Sequence, residues 1–149
     1  MKRLRSLAFV CLLLCFVLVG CSSNMKDAKS VLPDLEKADR IMISVQPQAN
    51  PEWASPAKDC TEPQDVQAVV NALLSLKIGD STDTIYGGET VRVLAYKGET
   101  LLYDLSFQEK TLSMDGDTFL CEEKPDFEKL YASLSAAEEE IMLTEKPSA

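Results

Sequence analysis

Every second residue along 40–45 is apolar and β-branched, the period-two pattern of a β-strand with one buried face. The apolar positions of this strand are Ile41, Ile43 and Val45. Beyond Thr61 the apolar spacing changes to three and four residues, which is typical of a helix with one buried stripe. The stripe consists of Val66, Val69, Val70, Leu73 and Leu74. Because Thr61 and Gln64 fit a capping box, the sequence predicts a helix that begins near Thr61.

Two alternating segments within residues 91–107 predict a β-hairpin. A three-residue loop, Lys97-Gly98-Glu99, would place Val91 opposite Leu105. A two-residue loop would instead set Val91 against Asp104. Since a slip of one residue turns every side chain to the other face of the sheet, the apolar match favours the three-residue loop.

The rest of the chain completes an α+β domain. Asp115-Gly116 is a strong turn dipeptide, so residues 111–114 and 118–121 are predicted to form two further strands. Pro125 opens a last predicted helix, whose apolar positions have helical spacing. These positions are Phe127, Leu130, Tyr131 and Leu134. The order β-α-β-β-β-α favours a small antiparallel sheet of four to five strands with helices packed on one face.

The start of the chain has the pattern of an export signal. Its basic residues are Lys2, Arg3 and Arg5. They precede an apolar run over 7–20 that is too short to span a membrane. Leu18-Val19-Gly20-Cys21 then resembles the lipobox of bacterial lipoproteins. In that family the cysteine thiol receives a diacylglycerol and a signal peptidase cuts before it. The resemblance therefore implies that residues 1–20 are a signal peptide and that Cys21 is the lipidated first residue of the mature chain.

This resemblance also predicts a location. Two acyl chains on Cys21 would hold the protein to a membrane far more firmly than one chain. The expected location is the cell membrane, with the mature chain facing outside the cytoplasm. Ser22 follows the cysteine, and in the lipoprotein family such a residue favours the outer membrane where a cell has one.

The mature chain divides into three predicted parts. Residues 21–34 begin with a polar stretch and are predicted to be a flexible tether that keeps the domain near its membrane. Residues 35–135 contain the predicted strands and helices and form a single α+β domain. Residues 136–149 include three consecutive glutamates and are predicted to be an acidic, flexible tail.

The mature chain is strongly acidic. The whole chain has 15 basic and 24 acidic residues, a net charge of −9, and removing the three basic residues of the leader lowers this to −12. Because an acidic surface repels phosphate backbones, the charge argues against nucleic acid as a partner and favours a basic peptide or a cation. The alternative is that the charge serves only to keep the chain soluble beside a charged envelope.

Two of the five cysteines, Cys60 and Cys121, remain once the leader is removed and Cys21 is lipidated. An even number of thiols outside the cytoplasm predicts one disulfide between them. Each cysteine precedes a predicted helix, so the bond would hold one end of both helices at the same edge of the sheet. The alternative is two separate buried thiols.

Little in the chain indicates catalysis. The absence of histidine argues against the common general base, the nucleophile pairs that need it and most zinc sites. Asp115-Gly116-Asp117 begins like a calcium loop, but Phe119 and Leu120 stand where a ligand and a glycine are needed, so a turn is predicted. The sequence therefore predicts no catalytic residue, no metal and no cofactor.

Three apolar residues are candidates for contact with a partner. Trp53 lies in the loop predicted over 47–60, where exposed aromatic side chains commonly bind partners. Alternatively, Trp53 folds over the sheet edge and covers the core. Leu94 and Leu102 are predicted to face each other on the side of the hairpin away from the core. They form either a small exposed patch or a surface that the 47–60 loop covers.

Together these features predict a membrane-tethered, non-enzymatic domain that binds a protein, a peptide or another component of the cell envelope. The alternative is a structural accessory subunit of a larger envelope complex, which is expected to expose a larger apolar patch. A small hydrolase with paired carboxylates comes third, and it would need a deep cleft.

Overall fold

The computed structural model describes residues 24–50, 53–84 and 90–143 of the chain. The predicted signal peptide and Cys21 lie outside these residues. Within the described ranges, no helix has the length and apolar character that crossing a membrane requires.

Nine strands make up most of the regular structure in the described residues. They are β1 (Lys26–Asp27), β2 (Arg40–Ser44), β3 (Ser55–Cys60), β4 (Lys77–Ser81), β5 (Val91–Lys97), β6 (Thr100–Gln108), β7 (Thr111–Met114), β8 (Asp117–Glu122) and β9 (Glu138–Ile141). The helices there are α1 (Ala28–Val31), α2 (Pro63–Leu74) and α3 (Phe127–Ser133), with a turn of 3-10 helix at Leu35–Lys37.

All nine strands join one antiparallel sheet in the order β1-β4-β8-β7-β6-β5-β2-β3-β9. The predicted fold class, a small sheet of four to five strands with helices packed on one face, is therefore wrong. The sheet is larger because β1, β3, β4 and β9 join it without a clear alternating pattern of their own. Pairing with neighbouring strands holds them in place: β3 contains Pro56, a residue that disfavours strands, and yet pairs with both β2 and β9.

The elements with strong local signals are confirmed. β2 lies where the first strand was predicted, and β7 and β8 meet at Asp115-Gly116. α2 begins at Pro63, although Glu62 rather than Thr61 precedes it and no side chain caps it. Most of its apolar stripe is buried in the main core, together with strand residues on one sheet face. These core residues include Val66, Val69, Val70, Leu73, Ile41, Ile43, Val93, Leu105 and Phe107.

The hairpin of β5 and β6 forms with a register that differs from the predicted one. Its turn is the pair Gly98-Glu99, and Gly98 has a φ of 57°, which glycine adopts without strain. A register shift next to Tyr96 then places Val91 opposite Phe107 instead of the predicted partner, Leu105. Because this shift adds one residue to one strand, it restores the apolar match that a two-residue turn alone would lose.

The first described residues are folded into the sheet, so the predicted tether over 21–34 is wrong in the part that the structure describes. β1 pairs with β4, and the amide of Ala28 donates a hydrogen bond to the carbonyl of Leu76 at 3.1 Å. Ala28 and Leu32 are fully buried in the main core. The folded domain therefore begins before the predicted boundary at residue 35.

The predicted flexible tail over 136–149 is likewise wrong where the structure describes it. β9 pairs with β3, and Leu143 is buried. Leu143 packs in a second, smaller core whose buried members are Ala57, Leu94, Tyr96 and Leu143 itself. This core lies on the sheet face opposite to the main core, because successive residues of β5 point to opposite faces. The C-terminal segment therefore turns back over that face of the sheet.

Candidate functional site

Trp53 and Met142 are the large hydrophobic side chains that stand exposed in the described part of the chain, at 63% and 50% exposure. Trp53 precedes β3, and Met142 follows β9. The two strands pair so that Ser55 lies opposite Ile141, which places both exposed residues beside the same end of the ladder. Trp53 does not cover the core, which was the alternative interpretation of this residue.

This part of the molecule is also an edge of the sheet. β9 pairs with β3 and is one of the two outer strands of the sheet among the described residues. Its residues Glu138, Glu139 and Glu140 are all exposed. We call the surface formed by Trp53, β9 and Met142 the Trp53 edge. Neither Met142 nor β9 was predicted, because three consecutive glutamates are typical of an exposed tail and not of a strand.

One glutamate of the Trp53 edge accepts a hydrogen bond from helix α3. The Tyr131 hydroxyl donates a hydrogen bond to the Glu138 carboxylate at 2.8 Å. Burial raises the pKa of Tyr131, and the hydrogen bond to Glu138 raises it further, so the hydroxyl keeps its proton and remains a donor. This contact ties β9 to α3 as well as to β3.

The predicted exposed patch of Leu94 and Leu102 is not present. Leu94 is fully buried and lies opposite Asp104, whereas Leu102 is half-buried at the register shift of the hairpin. Leu94 packs in the second core with Leu143 and Ala57. Leu94 is therefore covered within its own chain and is not available to a partner.

A polar cleft of about 360 Å³ lies next to Arg92. Its lining includes Arg92, Asp104, Ser106, Ser113, Met114 and Asp115. Nε and Nη2 of Arg92 donate to the two carboxylate oxygens of Asp104 at 3.0 and 2.7 Å, and Nη1 donates to the Leu143 carbonyl at 2.8 Å. Because the guanidinium is engaged in these contacts, its evident role is to fasten the C-terminal segment to the sheet.

A buried carboxylate that the sequence did not reveal accepts hydrogen bonds from the segment that precedes β9. Asp65, on α2, is 6% exposed and accepts hydrogen bonds from the Ser135 amide (3.1 Å), the Ser135 hydroxyl (2.8 Å) and the Ala136 amide (2.9 Å). Burial alone would raise the pKa of Asp65, but these hydrogen bonds outweigh it and the pKa is lowered. An aspartate in the first turn of a helix is common, so its type and position gave no signal of this contact.

Cys60 and Cys121 are free thiols in the structure, so the predicted disulfide is not formed. They lie in β3 and β8, five strands apart in the sheet and on the order of 20 Å at the usual strand spacing. A disulfide requires Cα atoms within about 7 Å of each other. Burial raises the pKa of each thiol to about 11, which leaves little reactive thiolate near neutral pH. The alternative of two separate buried thiols matches this arrangement.

The segment that begins like a calcium loop forms a tight turn between β7 and β8, as predicted. Asp115 and Gly116 have φ values of 54° and 85°, the positive pair that a type I′ hairpin turn requires. Among the residues that the structure describes, no three aspartate, glutamate or cysteine side chains are grouped so that they could hold a metal ion.

No protein-family model matches this chain, and neither does any curated protein or solved structure.

Proposed function

We propose that the mature chain is a lipid-anchored, non-enzymatic binding module of the cell envelope, attached through Cys21, which contacts a protein or peptide partner at the Trp53 edge. The observation that carries this proposal is the exposure of Trp53 and Met142 beside the same free strand. The anchor is supported by the leader sequence and its resemblance to bacterial lipoproteins.

An exposed tryptophan at a strand edge is well suited to binding. Tryptophan is among the residues that contribute most to protein interfaces when a partner buries it. The outer side of β9 offers backbone groups with which an extended segment can pair, as in recognition by strand addition. The Trp53 edge thus combines an apolar anchor with a hydrogen-bonding edge.

The glutamates of β9 favour a basic partner over a second copy of this chain. Two copies paired edge to edge would bring Glu138, Glu139 and Glu140 close to the same residues of the other copy, and like charges opposite each other are destabilising. Charged edge strands are a common protection against such self-association. A segment rich in lysine or arginine would instead be attracted.

Site-specific photocrosslinking in cells tests this proposal. A photoreactive amino acid placed at Trp53, or separately at Met142, is expected to give the same discrete adduct, with a yield that falls as the ionic strength rises. The matched control places the same amino acid at Glu99, which is exposed in the hairpin turn of β5 and β6. No adduct is expected there.

Two results would count against the proposal. Absence of an adduct at both Trp53 and Met142 would show that the edge is not a contact surface. The same adduct from Glu99 would indicate a subunit enclosed on several sides by its complex, which is the alternative function.

A further inference from the structure

We propose that the β1 edge of the sheet lies against the membrane surface, so that the opposite Trp53 edge is presented away from the lipid. This inference rests on the lipid anchor at Cys21 that is part of the proposed function. It adds the orientation of the domain and names the surface that faces the bilayer.

The fold begins very close to the proposed anchor. A Cβ atom on Gly79 would lie 2.8 Å from Sδ of Met25 and 3.2 Å from Cβ of Leu120, so the Met25 side chain lies directly on this glycine of β4. β1 follows at once and pairs with β4, and Ala28 is fully buried. Met25 is therefore part of the packed sheet rather than of a linker.

The covalent chain leaves little room between the lipid and the sheet. Met25 is separated from Cys21 by four Cα steps of about 3.8 Å, so the two Cα atoms can be at most about 15 Å apart. The headgroup layer takes up roughly 6 Å of this reach, since the two headgroup layers together make up the difference in thickness between the whole bilayer and its hydrocarbon core. What remains is shorter than the folded domain, so β1 and α1 must stay beside the membrane surface.

The sheet order determines which edge is presented away from the membrane. β1 and β9 are the two outer strands, eight strand spacings apart, or roughly 38 Å measured along the sheet. With β1 next to the lipid, the Trp53 edge is the strand edge that lies farthest from the lipid along the sheet. A partner could then reach it without displacing the bilayer.

The distribution of charge agrees with this orientation. Residues 24–37, which include β1 and α1, contain three lysines and three acidic residues, so this segment carries no net charge. The acidic residues that make the mature chain strongly negative lie beyond it, and three of them are the glutamates of β9. An edge without net charge meets an anionic lipid surface without the repulsion that the acidic edge would experience.

The single tryptophan of the chain makes the orientation measurable. The lipidated chain is purified from membranes and placed in vesicles whose headgroups carry a spin label that quenches nearby indoles. Trp53 is expected to keep nearly all of its emission. A variant with Trp53→Phe and Lys29→Trp, which moves the indole to the exposed side of α1, is expected to lose most of its emission.

A second variant separates proximity from other causes of quenching. Ten glycine and serine residues inserted between Ser23 and Asn24 lengthen the connection to Met25 from four to fourteen residues, which roughly doubles its average reach, from about 11 to about 21 Å. The emission of the Lys29→Trp variant should then recover. Lys26→Trp, in β1, serves as an independent probe of the same edge.

The possible failures are distinguishable. Equal quenching at Trp53 and at Lys29→Trp in a chain that carries acyl groups would overturn the orientation and leave the anchor intact. An intact mass without acyl groups, together with failure to float with vesicles, would overturn the proposed anchor and this inference with it.

Discussion

Replacing Asp65 by alanine is expected to lower the free energy of unfolding by about 2 kcal/mol, because it removes a buried, charged acceptor of hydrogen bonds. The carboxylate accepts three hydrogen bonds from Ser135 and Ala136, and alanine can replace none of them. The loss is measured by urea unfolding of Asp65→Ala at neutral pH. Glu62→Ala is the matched control. Glu62 is an exposed acid that precedes the same helix, and its side chain makes no capping hydrogen bond. A change within about 0.5 kcal/mol is expected there.

The same contact should give a characteristic dependence on pH. Because the folded-state pKa of Asp65 is lowered, its contribution is complete above the ordinary carboxyl pKa of about 4 and is lost as the pH falls through the lower folded-state value. The difference between wild type and Asp65→Ala should therefore shrink only in this acidic range. A difference that is absent at neutral pH, or equal for Glu62→Ala, would contradict the role assigned to Asp65.

Leu143→Ala is expected to cost about 3 kcal/mol, the usual loss when a buried leucine is truncated. Leu143 is 3% exposed and packs with Ala57, Leu94 and Tyr96 on the second face of the sheet. Thermal or urea unfolding measures this loss. Met142→Ala, one residue earlier and half exposed, is the matched control and should change stability by less than about 0.5 kcal/mol.

The comparison of these two neighbours separates the folded C-terminal segment from the flexible tail that the sequence predicted. A flexible tail would make both substitutions nearly neutral. If Leu143→Ala and Met142→Ala had the same small effect, the second core would not contribute to stability, and the assignment of Leu143 to it would be wrong.

The elements that sequence analysis predicted are those that carry their own signal. β2 and the β5–β6 hairpin have an apolar residue at every second position, and α2 has an apolar stripe at helical spacing. Asp115-Gly116 supplies the conformation that a tight turn needs. Such signals are local, since they depend on neighbours in the chain. The register of the hairpin was predicted wrongly, because nothing in the pattern of apolar and polar residues indicates the bulge next to Tyr96.

The strands that were missed depend on distant segments. β3 contains a proline, β9 is almost entirely glutamate, and β1 has only two residues, so each is stabilised by the strand beside it. These additions turned a predicted small sheet into one of nine strands. They also turned a predicted tether and a predicted tail into the two outer edges of that sheet.

Prediction of the candidate site was limited in the same way. Trp53 could be named because a large apolar residue in a polar loop is unusual, but its companion Met142 depends on the pairing of β3 with β9. Leu94 was placed on the correct side of its strand, yet its burial depends on Leu143. The disulfide was inferred from an even number of thiols, which says nothing about the strands that separate Cys60 from Cys121.

Both proposals depend on the lipid at Cys21, and the intact mass of protein purified from membranes tests it most directly. The sample is alkylated in denaturant, once without and once after reduction. The expected mass is that of the chain from Cys21 onward with acyl groups, and it should gain two alkyl groups without reduction, at Cys60 and Cys121. A mass that retains the leader, or that lacks acyl groups, would contradict the anchor, and alkylation only after reduction would contradict the free thiols.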